Sequence, residues 1–173
     1  TKEGGIISGY DEEVTGPTGI VTTNKNTNVE WTPWGTNEQI KSRDTLTTSN
    51  DGKRIEVTTH YQATFDTSGR LYQSVETMQR KGAGLDQSTI RTVTINKTNA
   101  LGQQLERTEK IENKNTNVTT VSTDFMHYDS ESRIDKSVQV TTTSGKTTSG
   151  DDYSRTETTT KDGVQYDKAT GRE

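Results

Sequence analysis

The chain of 173 residues contains no cysteine, so neither a disulfide framework nor a thiolate metal site can form. Proline is limited to Pro17 and Pro33, and the only histidines are His60 and His127, with no HExxH or comparable ligand spacing around them. Aromatic residues make up 6% and all hydrophobic residues 24%, so any core must be thin. No apolar run approaches the length a membrane-spanning helix needs. Lysine and arginine do not exceed the acids: net charge is −4 with both signs interspersed, which leaves no basic patch for nucleic acid and no polybasic stretch for a lipid surface. GxSxG, P-loop, GxGxxG and EF-hand patterns are all missing, which points to a non-enzymatic chain that needs no cofactor. Acids such as Asp11 to Glu13, Asp151 with Asp152, and Asp162 read as solvated surface carboxylates.

What is abundant is threonine. A mean hydropathy of −1.04 would ordinarily suggest disorder, but disordered chains favour proline, glutamate, serine and glutamine over β-branched residues. Two classes of turn signal alternate along the middle of the chain. One carries Asp or Asn followed three residues later by Gly or Ser: Asp66-Thr67-Ser68-Gly69, Asn99-Ala100-Leu101-Gly102 and Asp129-Ser130-Glu131-Ser132, with Thr32-Pro33-Trp34-Gly35 one step earlier. The other lies about midway between these: Ser49-Asn50-Asp51-Gly52, Lys81-Gly82-Ala83-Gly84, Asn113 to Asn117, and Ser144-Gly145-Lys146. Between them, Ile55, Val57, Thr59, Tyr61, Ala63 and Phe65 alternate with polar residues, the period-two signature of a half-buried strand. Val93 with Ile95, Val121 with Phe125, and Val138 with Val140 repeat it. No window sustains an apolar stripe at helical spacing.

These patterns predict an all-β chain: a meander of about 8 to 10 long antiparallel strands, forming an open sheet or sandwich or else an up-and-down barrel. Residues 31–173 read as one antiparallel domain of repeated hairpins. Residues 1–30, glycine-punctuated with Ile6, Ile7, Tyr10, Val14, Ile20 and Val21, read as an extended arm or a first strand. Such an arm could donate a strand to another subunit's edge. Apolar content fades toward the C-terminus, and residues 141–161 are polar on both alternating faces apart from Tyr153.

Three further groups of residues invite a reading. Trp31 and Trp34 flank Pro33 and could stack on a sugar ring, although paired aromatics in a thin-cored domain more often plug the core. Asn96-Lys97-Thr98 and Asn117-Val118-Thr119 fit the glycosylation acceptor pattern. The turns Phe65-Asp66-Thr67-Ser68-Gly69-Arg70-Leu71, Tyr128-Asp129-Ser130-Glu131-Ser132-Arg133-Ile134 and Tyr166-Asp167-Lys168-Ala169-Thr170-Gly171-Arg172 resemble the YD repeats of Rhs-type bacterial surface and toxin-encapsulating proteins. The chain departs from that family in strand length and spacing. The resemblance implies a secreted or surface-displayed scaffold of hairpins without catalytic activity.

Together these features predict a structural or adhesive module, extracellular, on a cell surface or in a virion, that assembles with copies of itself or with surface partners through strand edges. Carbohydrate is a further candidate partner. The alternative is a closed up-and-down barrel carrying a small ligand.

Overall fold

The computed structural model describes residues 7–32, 39–50, 56–82 and 85–163. The described residues form ten strands and no helix: β1 (Tyr10–Thr15), β2 (Val21–Trp31), β3 (Ile40–Ser49), β4 (Glu56–Phe65), β5 (Leu71–Gly82), β6 (Leu85–Thr98), β7 (Gln104–Asn113), β8 (Val118–Tyr128), β9 (Ile134–Lys146) and β10 (Asp152–Asp162). Each pairs antiparallel with the next, giving one sheet in the order of the chain. Among the described residues β1 meets only β2 and β10 meets only β9, so the sheet is open and the barrel closure allowed by the sequence does not occur.

Five of the connections share one local design. At Gly16, Asp66, Asn99, Asp129 and Thr147 the first residue's N–H donates to the carbonyl four residues on, and the N–H three residues on donates back to the first residue's carbonyl. The fourth residue is left-handed in every case: Gly19, Gly69, Gly102, Ser132 and Gly150, with φ from 67 to 93°. This is the turn-plus-bulge hairpin that glycine favours. At Asp66, Asn99 and Asp129 the side-chain Oδ1 accepts two further backbone N–H groups, at 2.8 to 3.0 Å. Thr147 Oγ1 accepts one, from Asp151 at 3.1 Å. Because strands alternate in direction, the Asp66, Asn99 and Asp129 turns lie at one end of the sheet and the Asn113 to Asn117 turn at the other, as do those at Gly16 and Thr147.

One turn expected from the sequence is displaced. Ser144, Gly145 and Lys146 belong to β9, and the chain reverses three residues later at Thr147. Gly145 serves the strand instead: it pairs with Tyr153, and a Cβ there would come within 3.1 Å of the Tyr153 ring. The turn at Gly16-Pro17-Thr18-Gly19, inside the segment read as an arm or first strand, has proline at its second position, where fixed φ suits the geometry. The turn signals at Pro33 to Gly35, Asp51-Gly52 and Ala83-Gly84, together with Ile55, lie outside the described residues.

Burial follows the alternation expected for β4: Val57, Thr59, Tyr61, Ala63 and Phe65 are half-buried or buried, and the residues between them are exposed. Ala63 pairs with Ser74 and Ser74 with Val93, so these share what we call the front face with Tyr61 and Ile95. Among the described residues, those buried are Asn26, Val29, Ala63, Val93 and Ile95, all between β2 and β6. Asn26, at 2% exposure, is satisfied by a hydrogen bond from the Thr45 hydroxyl to its Oδ1 at 2.8 Å. No residue from 96 to 163 is buried, and β10 is exposed along its whole length.

The second half carries its apolar residues on the other side. Gln62, which faces away from Ala63, pairs successively through Val75, Thr92 and Lys110 to Val121, and Val140 and Val138 follow on that back face opposite Thr123 and Phe125. With one layer and an apolar strip on each side, the sheet cannot enclose a core. Its accessible surface of 12279 Å² compares with about 8,400 Å² for a compact monomer of this mass.

Candidate interaction surfaces

Two kinds of surface stand out on this sheet: its open edges, and an aromatic groove on the front face. A shallow groove of about 370 Å³ is lined by Trp31, Gln39, Ile40, Arg43, Tyr61, Phe65 and Leu71. The Arg43 guanidinium sits over the Tyr61 ring, 5.8 Å from its centre, and donates to the Tyr10 hydroxyl at 3.4 Å. Partial burial raises the Tyr61 hydroxyl pKa, with the Arg43 charge opposing. The Trp31 indole N–H is already used, donating to the Ile7 carbonyl at 2.9 Å, so the indole offers a ring face with its polar edge occupied. Trp34 and Ile6 lie outside the described residues. Pairing of Arg43 with Tyr61 depends on the β3–β4 register, which no local sequence signal contains.

At the first edge, Tyr10 and Val14 lie on β1, paired within the chain to Asn26 and Thr22 of β2. Ile20 closes the Gly16 turn, Val21 opens β2, and Ile7 precedes β1 with 58% of its surface exposed. Three consecutive carboxylates, Asp11, Glu12 and Glu13, occupy half of this six-residue edge.

The far edge has a different composition. β10 pairs with β9 over eleven residues with no register shift, whereas the pairings of β2 with β3, β4 with β5, β6 with β7 and β8 with β9 each contain at least one. Thr147 N–H bonds the Asp151 carbonyl, and hydrogen-bonded pairs alternate along an antiparallel ladder. Residues 153, 155, 157, 159 and 161 therefore bond β9, and the backbone groups of Asp152, Ser154, Thr156, Thr158 and Thr160 point out from the sheet. Arg155 and Glu157, on one face of this strand, form an ion pair with side chains 77% and 59% exposed.

No family model, no curated protein and no solved structure matches this chain. The geometry of its turns and edges therefore carries the functional reading.

Both YD-like turns among the described residues use the Asp carboxylate as the cap set out above. At Asp129 the Arg133 backbone N–H, and then the Arg133 side chain at 2.9 to 3.0 Å, hold the carboxyl below its ordinary pKa. The third, Tyr166 to Arg172, lies outside the described residues. Asn96 is held on β6 by hydrogen bonds to Glu106 and Thr108 at 3.2 and 2.7 Å, while Asn117 ends its turn in the left-handed region at φ 53°. His60 pairs with Asp44 and His127 with Asp135. The Asn28 amide, donating at 2.7 Å, and then His60 lower the Asp44 pKa. The two histidines belong to separate hairpins. Asn50 and Asn115 perform a task the sequence did not signal: each side chain bonds the backbone of the neighbouring strand, Asn50 at Val21 of β2 and Asn115 at Asp86 and Ser88 of β6, and extends the ladder past the end of its own strand.

Proposed function

We propose that this chain is a non-enzymatic structural module of an extracellular or surface assembly, bacterial surface, filament or virion, that joins its partners through sheet edges. The observation that carries the reading is the open single-layer sheet ending in a long, regular strand whose outward backbone groups have no neighbouring strand among the described residues. An exposed edge of this kind is a template for another strand. The resemblance of the Asp66 and Asp129 turns to YD repeats points the same way, toward a surface-displayed scaffold. Size-exclusion chromatography with light scattering, followed by negative-stain microscopy at raised concentration, tests it. Ordered oligomers are the expected result, and a chain that stays monomeric contradicts the reading.

A second reading concerns the front groove. Aromatic faces beside a guanidinium suit a sugar ring with an acidic or hydroxyl substituent, so surface carbohydrate is a partner of the same module. Tyr61→Ala should abolish glycan retention while leaving edge assembly intact; retention unchanged in that variant contradicts a role for the groove.

A further inference from the structure

Resting on the edge-assembly reading, we infer that the partner of β10 is β10 of a second copy of this chain, antiparallel about a two-fold axis at Thr156. Several observations converge on this arrangement. β1 is poorly suited to self-pairing: antiparallel pairing centred on Glu12 would set Glu12 against Glu12 and Asp11 against Glu13, stacking like charges. β10 lacks such a barrier and has no proline, bulge or register shift.

The register follows from geometry and charge. Only the even-numbered residues of β10 present backbone groups outward, so even residues must form the hydrogen-bonded pairs of the new ladder. Centred on Thr156, the hydrogen-bonded pairs are Thr156 with Thr156, Ser154 with Thr158, and Asp152 with Thr160. The intervening pairs are Arg155 with Glu157 and Tyr153 with Thr159. Residues of a non-hydrogen-bonded pair stand closer, at about 4.5 Å between Cα atoms, so each Arg155 faces the Glu157 of the other copy, and the two-fold axis repeats the pair.

Neighbouring registers are worse. Centring on Arg155 opposes two arginines, centring on Glu157 opposes two glutamates, and centring on Thr158 opposes Arg155 to Lys161 on both sides. Centring on Thr159 matches Glu157 with Lys161 but leaves Arg155 at the margin, opposite Gly163. The back face would then carry a band of small β-branched residues from Thr142 through Thr156 of both copies, extending the Thr142 to Thr156 hydroxyl contact of 2.9 Å already present within the chain. The product is a twenty-stranded continuous sheet with acidic β1 edges at both ends.

The test uses charge reversal in the full chain. Arg155→Glu and Glu157→Arg should each raise the dimer dissociation constant about tenfold or more, because each sets like charges opposite twice. Mixing the two variants should restore wild-type affinity, since one copy then carries only acids and the other only arginines at these positions. Sedimentation velocity reads the association, and far-ultraviolet circular dichroism verifies that the exposed substitutions leave the strands in place. If wild type associates and both single variants associate equally well, the β10 pairing is wrong although assembly through another edge stands. If Glu157→Arg alone weakens association and Arg155→Glu does not, the register centred on Thr159 replaces the one inferred here. If wild type is monomeric at about 1 mM, weaker than any specific contact of this size, both the pairing and the proposed function fall.

Discussion

Strands β2 to β6 and strands β8 to β10 have similar lengths and the same hairpin chemistry, yet they hold together by different means. The first region buries Val29 on β2 and, on the front face, Ala63, Val93 and Ile95. The second has no buried side chain and depends on its main-chain ladder and on cross-strand polar contacts: Ser122 with Thr141 at 2.9 Å, Thr120 with Thr143 at 3.5 Å, and Lys136 with Asp162 at 2.8 Å. Between them β7 acts as a polar seam, where Glu109 bonds Arg91 at 2.8 Å and Arg107 at 2.7 Å. A single-layer sheet can thus be anchored at one side by apolar burial and extended from it by backbone pairing, at the cost of leaving one side of β10 without a partner strand among the described residues.

Like-for-like truncations break this comparison most sharply. Val93→Ala should lower unfolding free energy by about 2 kcal/mol, the transfer term for its methyls plus a residual cavity. Val140→Ala, on the half-buried back face, should cost under about 1 kcal/mol in monomeric protein. Equal losses in urea titrations would show that the two regions share one mode of stabilisation.

Ser132 comes next. It is the non-glycine among the left-handed fourth positions of the five shared turns, with φ 67°, and Ser132→Gly should stabilise the β8–β9 hairpin by about 1 kcal/mol. An unchanged melting temperature would mean that serine is held there by contacts that offset the backbone strain. In the same hairpin family, Asp129→Ala should lower the melting temperature more than Thr147→Ala, because the Asp129 side chain satisfies two backbone N–H groups and the Thr147 hydroxyl only one.

The smallest effect concerns pH at the seam. Hydrogen bonding to Arg91 holds the Glu109 carboxyl below its ordinary pKa, with the Arg91 and Arg107 charges adding to this against a partial burial cost. A carboxyl depressed in the folded state contributes stability in full above its unfolded pKa, about 4.3, and loses it as pH falls through the lower folded value. Asp44 and Asp129 share that sign. Stability should therefore be flat from about pH 5 to about pH 8 and decline below about pH 4, and Glu109→Gln should shallow that decline by less than about 1 kcal/mol, since the pair is partly solvated. An acid slope unchanged in Glu109→Gln would remove the seam from the account.

Local features of the chain were legible in sequence because their physics is local. An Asp or Asn cap with glycine or serine three residues on bonds its own backbone, so the Asp66, Asn99 and Asp129 turns could be placed without knowing what they connect. The same holds for the alternation of β4. What required the structure depends on register: that Val93 and Val121 face opposite sides, that Arg43 meets Tyr61, and that Gly145 accommodates Tyr153 in a strand when it reads as a turn residue. The open edge was foreshadowed by the fading apolar content, but which backbone groups of β10 point outward follows from a turn at Thr147 that the sequence reading set three residues too early.

Residue-resolved amide exchange measured at low and high protein concentration tests the central claim most directly. In dilute solution the amides of Ser154, Thr156, Thr158 and Thr160 should exchange quickly, those of Arg155 and Glu157 more slowly, and those of Val93 and Ile95 slowest. At high concentration the outward amides of β10 should gain protection while those of β1 and the buried residues stay unchanged. Outward β10 amides that exchange at the same rate at every concentration would contradict the account.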